Sequence, residues 1–547
     1  VYKLRINGVE IDFEGGTYLE ALRKAGNDMG ALAVRIGGDV RELGESVDKN
    51  CDIVPITLHD EEGRRIYERS LIFLLLMAMK REFPGVDISC EHSLPQGLYI
   101  LFKGLKFTSN SVIKRLEGAM HDFVSEDLPF VKRTLSKDEA IEIFARQGQD
   151  DKVRLLGYRE VAHFNMYSCG GVENYFYGAM VPSTGYLKLF ALELHLPGMV
   201  LVQPSAEDIS VLTQKPSAPR LGAVFSQSER WGEILDAQVV ADLNDMVKNG
   251  KIREFIRINE ALHEKTISYI ADEIYDRKSR LVLVAGPSSS GKTTFTNRLY
   301  VQLRANGLRP VIISLDNYYL DREDIPLDEN GERDFETLYS IDVKYFNEQL
   351  VSLLQGNEVE LPIFDFATGK RTSSGKRTKL GDDQPILVEG IHGLNDELTY
   401  DVPNEYKYKI FVSALTQLNL DNYNRIRSTD GRLIRRLTRD YSARASSMER
   451  TFSMWDSVRR GEDKWIFPYQ EQADYIFNTS LSYELAIIKK YLYPLLSAVE
   501  KESEYYLEAR RLIKFLNYIV DADKSVEEEI PPTSILREFI GGNAFYK

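Results

Sequence analysis

The sequence predicts a multidomain chain: a small α+β roll, a larger α+β domain, then an α/β domain with a parallel sheet and a helical lid. Three observations predict it. At 547 residues the chain exceeds one ordinary core. Its first two fifths mix period-two strands with helices. Its second half opens on Gly286-Pro287-Ser288-Ser289-Ser290-Gly291-Lys292-Thr293, a complete G-x-x-x-x-G-K-[ST] loop. From there strands alternate with helices, the pattern of a parallel sheet covered on both faces.

Residues 1–59 form the roll. Tyr2-Lys3-Leu4-Arg5-Ile6 alternates, Asn7-Gly8 is a hairpin turn signal, and Val9-Glu10-Ile11-Asp12-Phe13 returns beside it. Thr17 caps a helix over 18–25, and Ala33–Ile36 and Asp52–Ile56 add strands. This arrangement resembles the TGS domain of threonyl-tRNA synthetases. Residues 60–202 extend the likeness. The 61–80 helix, the Pro84-Gly85 turn, Gln96-Gly97-Leu98-Tyr99 and Val181-Pro182-Ser183-Thr184-Gly185-Tyr186-Leu187 follow the layout of the synthetase editing domain. That family uses an H-x-x-x-H pair on its first helix and a C-x-x-x-H pair before the Val-Pro. The matching positions here are Arg69, Phe73, Phe176 and Met180. None of the four can act as the ligand or base that the family uses, so aminoacyl-tRNA hydrolysis is not expected and the domain reads as a degenerate one. His163 and Cys169 bring no convergent ligands. A packed histidine and a buried thiol are expected there, and again at His92 beside Cys90.

The apolar run Leu71–Met79, between Arg69 and Lys80, is too short to span a membrane and reads as a core helix. The net charge of −14 disfavours nonspecific binding to nucleic acid or anionic membrane. Three widely spaced cysteines suit a reducing compartment, and Val1–Ile6 is no signal peptide. A cytoplasmic protein is therefore expected. Residues 203–278 read as a connecting segment with Pro204, Pro216 and Pro219, followed by a helical stretch over 229–276. Residues 279–547 read as the phosphate-loop domain with a C-terminal extension. Its segment Ile530–Gly542 is apolar enough to dock.

The loop stands in the right setting. Leu281–Ala285 is a buried strand, and a helix over 292–306 ends at Gly307. Gly286, Ser288, Ser289, Ser290, Gly291 and Thr294 belong to a backbone cradle for phosphates at a positive helix end. Lys292 reaches the β- and γ-phosphates, and Thr293 ligates Mg²⁺. Asp316 follows the strand Pro310–Leu315, where ligands bind in open α/β sheets. It is suited to accept a proton from an attacking hydroxyl; otherwise it opens a turn. Glu389 ends the strand Pro385–Glu389, near where Mg²⁺ belongs; otherwise it pairs with a lid arginine. Arg432, Arg436 and Arg439 share one helical face, with Arg444 beyond. They can neutralise a transferring phosphoryl group, or simply form a solvated charged face.

These motifs, in order with Ser314-Leu315-Asp316-Asn317-Tyr318-Tyr319, Asp334-Phe335-Glu336, Leu361-Pro362-Ile363-Phe364-Asp365-Phe366 and Val388-Glu389-Gly390, resemble the uridine/cytidine kinase and phosphoribulokinase superfamily. The resemblance implies ATP and Mg²⁺ as cofactors. It implies Asp316 as general base, Glu389 as the Mg²⁺ assistant, and Arg436, Arg439 and Arg444 as lid groups. Tyr319, Glu336, Phe364, Arg371 and His392 fall on the acceptor side. The chain departs from uridine kinases at Phe364, Glu336, Gly369 and Met454, where that group carries Tyr, Asp, His and Gln. The leading acceptor is a uridine-type nucleoside. A sugar phosphate of the phosphoribulokinase type is the alternative, and a nucleotide-dependent RNA- or ribosome-associated regulator is the rival. A nucleic-acid partner and a homo-oligomer are left open.

Overall fold

The computed structural model describes every residue except 106, 107, 160, 161, 329, 330, 416, 417, 445, 546 and 547. The first sheet has five strands, ordered Val9–Phe13, Tyr2–Ile6, Cys51–Ile56, Ala33–Ile36 and Asp39–Glu42. Ile6 pairs with Val9 across the hairpin. Asn7 (φ 47°) and Gly8 (φ 84°) both take the positive φ that a tight two-residue turn needs. Thr17 and Glu20 form a capping box on the helix Tyr18–Lys24. The strand Asp39–Glu42 was not expected. Its short polar run shows no alternation, and only the Gly37-Gly38 turn before it hints at a hairpin.

The helix Glu61–Glu82 is buried without a break from Ser70 to Met79. It packs against the helix Asn110–Glu126 and a four-stranded antiparallel sheet, as a core helix should. No helix among the described residues is long and apolar enough to cross a membrane. Instead of one long helical stretch, three helices follow: Pro219–Ile234, Val240–Lys248 and Ile252–Arg277. Pro219 opens the first of them at a position where its missing N–H costs nothing.

The C-terminal half carries a five-stranded, wholly parallel sheet, ordered Val311–Ser314, Ile386–Glu389, Leu281–Ala285, Lys407–Ser413 and Tyr475–Asn478. Leu281–Ala285 is central and buried throughout, which explains its unbroken apolar run. Val284 and Ser314 both pair with Glu389, so three strands end side by side. One apolar cluster joins Phe144, Leu156 and Phe164 of the front half to Leu433, Leu437 and Phe515 of the back half. The C-terminal segment docks on its own chain: Ile535 and Phe539, both 0% exposed, share a core with Phe295 and Leu299 of the phosphate-loop helix.

Candidate active site

The phosphate loop connects the central strand to the helix Lys292–Ala305. Ser289 (φ 58°) and Gly291 (φ 83°) turn its backbone inward. A Cβ on Gly286 would lie 1.8 Å from the carbonyl oxygen of Val412, so only glycine lets the loop leave the sheet here. Two hydroxyls of the loop, Ser289 Oγ and Ser290 Oγ, are buried without a hydrogen-bond partner among the described residues. Lys292 Nζ donates to the carbonyl of Pro287 at 3.0 Å, curled over the loop. Burial lowers its pKa, while Glu389, Asp316 and Glu538 pull it upward.

Four carboxylates act on this lysine: Glu389, Asp316, Glu336 and Glu538. Glu389 is 9% exposed, and its Oε1 lies 3.4 Å from both Thr293 Oγ1 and Ser314 Oγ. Desolvation, helped by repulsion from Asp316, raises its pKa to about 7. Asp316, in a 3₁₀ turn just past its strand, is open to solvent in the cleft. Crowding by protein raises its pKa, with Lys292 and Arg444 opposing. Glu336 is pushed to about 7 by burial and by nearby Glu462.

The helix Ser428–Arg444 brings the arginines, as its spacing predicts. Arg436 Nη1 donates to Ser288 Oγ at 3.0 Å and Arg439 lies 3.2 Å from Asp440, which Arg444 also approaches at 3.6 Å. Arg432 clamps Glu462 with both guanidinium nitrogens, and Glu462 accepts from the backbone N–H of Ser288 at 3.0 Å. Burial alone would raise the pKa of Glu462; Arg432 holds it below the ordinary range.

On the acceptor side, Tyr319 lies beside Asp316 and Glu336. Its ring sits 5.6 Å from Phe364, 6.0 Å from Phe335 and 6.3 Å from Phe366, forming an aromatic wall. Phe366 is 56% exposed and presents a free face. Gly369 (φ 70°) leaves no room for a side chain, because a Cβ would meet Arg322 at 2.8 Å. Two predicted residues stand apart. Arg371 is tied to Asp342 at 2.9 Å and stacks on Tyr345 at 5.0 Å. His392 is buried (1% exposed), and desolvation lowers its pKa to about 4.

Sequence reasoning missed Glu462 and Glu538. Glu538 comes from the docked C-terminal segment, accepts from Thr294 Oγ1 at 2.8 Å and lies 3.7 Å from Arg439. The apolar residues around it were the available signal. The presumed editing positions also meet in space. Phe73 and Phe176 contact each other at 5.5 Å, Met180 lies under Ser70, and Arg69 donates to the carbonyl of Ala179. Cys169 and Cys90 are buried and His92 stacks on Phe225, as expected. His163 is exposed, contrary to the expected packed histidine.

The residues present fit a magnesium nucleotide. Orphan loop hydroxyls, a glycine cradle and the hard oxygens of Thr293 and Glu389 are the donors such a ligand needs. The sequence model of the Phosphoribulokinase / Uridine kinase family matches residues 281–485. A uridine kinase of Staphylococcus aureus (strain JH9) is 30% identical over 212 residues, covering 39% of this chain and 93% of that protein. The N-terminal region is similar to the threonine–tRNA ligase of Carboxydothermus hydrogenoformans, 32% identical over 163 residues, covering 30% of this chain. The chain spans only about a quarter (26%) of that ligase's length. Among solved structures, a D-glycerate 3-kinase from Cryptococcus neoformans superposes with a TM-score of 0.22 at 14% identity, covering 47% of this chain and 88% of that one. The strand–loop–helix with its carboxylates and arginines, and the match to nearly a whole uridine kinase, lead to one conclusion: the chain belongs to the phosphoribulokinase/uridine kinase family.

Proposed function

We propose that this phosphate-loop kinase, a phosphotransferase with an alcohol acceptor, phosphorylates a hydroxyl of a nucleoside, with uridine the leading acceptor. The carrying observation is the aromatic wall of Tyr319, Phe335, Phe364 and Phe366 beside Asp316. A planar base can stack there. A sugar-phosphate acceptor would need a free cation, and Arg371, the cation that the sequence analysis places on the acceptor side, is already paired with Asp342.

Bound Mg-ATP supplies the γ-phosphoryl group and part of its charge neutralisation. Thr293 and Glu389 are the residues to hold the metal. Asp316 orients the acceptor hydroxyl and takes its proton. Lys292, Arg436, Arg439 and Arg444 balance the negative charge of the phosphoryl group. Glu462 keeps the loop and arginine helix in register through Ser288 and Arg432. Loss of the polar groups usual at positions 364 and 369 predicts weak discrimination between bases, because polar readout gives the steep specificity. The test is Mg-ATP consumption against nucleosides, sugar phosphates and sugars. Turnover highest with a nucleoside is expected; turnover only with a sugar phosphate overturns the acceptor assignment while leaving the kinase chemistry intact.

A further inference from the structure

A cavity of about 790 Å³ lies away from the phosphate loop, between the front half and the C-terminal helices. Its volume is that of a small-molecule site. Many charges on its wall are already matched. Arg65 and Arg511 meet Asp430 and Glu508; Lys132 meets Glu42 and Glu45; Arg425 and Arg427 meet Glu68. Five cations of the wall are left without an ion pair among the described residues, Arg35 and Arg510 being two of them. Arg69, Arg159 and Lys514 form no ion pair with an acid among the described residues, although all three line the same cavity. Arg69 spends one guanidinium nitrogen on the carbonyl of Ala179. Arg159 gives one nitrogen to Tyr518 Oη at 2.7 Å, and its buried Nε has no hydrogen-bond partner among the described residues. Among the described residues, Lys514 makes a cation–π contact with Tyr177, at 5.0 Å, and no hydrogen bond.

Such an arrangement is unfavourable without a counter-charge. Crowding, then Arg69 and Arg159, push the pKa of Lys514 down to about 8 although its ammonium opens onto the cavity. Gly178 takes a φ of 130°, which favours glycine, and lies against the Arg69 guanidinium, which a Cβ there would displace from 2.6 Å. Glu62 on the same wall favours the charge of both Arg69 and Lys514, but neither makes a salt bridge with it. Repelling, unpaired cations around a cavity are the mark of a site built for an anion rather than for stability. The apolar and ring surfaces of Phe164 and Tyr177 on the same wall suit a ligand with a body as well as a charge.

We propose that this cavity is a second ligand site, which binds a phosphorylated small molecule through Arg69, Arg159 and Lys514. Its wall includes Arg427 and Asp430. Asp430 lies in the first turn of the helix Ser428–Arg444, which carries the active-site arginines. An occupant therefore touches the element that reaches the phosphate loop. This site is independent of which hydroxyl the kinase phosphorylates.

The test is calorimetric titration of the full chain, with saturating Mg-ATP present to fill the phosphate loop. The probes are uridine 5′-monophosphate, fructose 6-phosphate and inorganic pyrophosphate, which separate a nucleotide, a sugar phosphate and a bare phosphate as the source of the anion. At least one probe is expected to bind, and Lys514→Gln to weaken it about ten-fold or more, the usual loss for one charge-assisted contact. Lys514→Gln should leave Tm unchanged or raised, because it removes a repelling charge. Arg69→Gln provides a second variant on another element, expected to weaken the same probe. No binding by any probe, or binding unchanged in both variants, overturns the proposal. So does a fall in Tm for Lys514→Gln with no probe bound, since that would make the cation structural.

Discussion

Asp316 and Glu389 show how much at this site depends on single residues. They share one cleft with Lys292, yet only Asp316 is open to an incoming hydroxyl. Asp316→Asn keeps the shape and removes the charge proposed to accept a proton. It should lower kcat by about two to four orders of magnitude, with little change in ATP affinity. Measuring kcat and ATP Kd on one preparation checks this; preserved kcat with lost ATP binding would make Glu389 the better base. The pH dependence follows from the same groups. Glu389 and Glu336 have pKa values raised to about 7, so both gain protons as pH falls through neutrality. A carboxylate raised in this way loses its negative charge on the acid side, so kcat/KM should fall below about pH 7. Glu389 interacts strongly with Asp316, so that limb belongs to the pair. It should persist in Glu336→Gln, and a flat profile from pH 5.5 to 8 would contradict it. Most of these residues are legible in the sequence because each sits in a contiguous motif whose geometry is local. Glu462 and Glu538 are not, because they reach the loop from 174 residues beyond Ser288 and 244 beyond Thr294. Arg371 shows the converse, since a motif position gives no warning of a partner such as Asp342 on another element.

At the scale of elements, strand ends and one docked segment define the cleft. The parallel sheet is legible from its apolar runs and alternating helices. The destination of the C-terminal segment is not, because apolarity shows that a segment docks without showing where. It seats Ile535 against Gly291 and hydrogen-bonds Thr294 from both Glu538 and Asn543. Here a carboxylate stands beside a loop made for phosphates. Glu538 also engages Arg439 at 3.7 Å, holding part of that cation's charge. Glu538→Gln keeps the hydrogen bond to Thr294 while removing the negative charge. It should tighten ATP binding by a few-fold, through less repulsion and a freer Arg439. ATP Kd by titration is the check; weaker binding would instead show that Glu538 positions the loop.

The whole molecule is held together by burial that ignores the sequence order of its parts. The shared apolar cluster joins the two halves, and a charged network lies across the same junction. Arg65 comes from the front helix, Asp430 from the arginine helix and Arg511 from the helix Tyr506–Leu516. Arg511 meets both carboxylate oxygens of Asp430, at 2.7 and 3.0 Å, and Arg65 approaches at 4.0 Å. Asp430 is 13% exposed, so removing its charge leaves two cations in a poorly solvated junction. Breaking one partner of such a network costs about 3–5 kcal/mol, more than the network's net worth relative to an apolar replacement. Asp430→Asn should therefore lower the first unfolding transition in urea by about that amount. The pH dependence has a definite sign. Burial alone would raise the pKa of Asp430, but Arg511 and Arg65 hold it at about 2. Its contribution is thus full above its unfolded value of about 3.9 and is lost as pH falls through the folded value. Parent and Asp430→Asn should differ most at neutral pH and converge towards pH 2. A difference that stays constant down to pH 2 would show that the aspartate acts by packing rather than by charge.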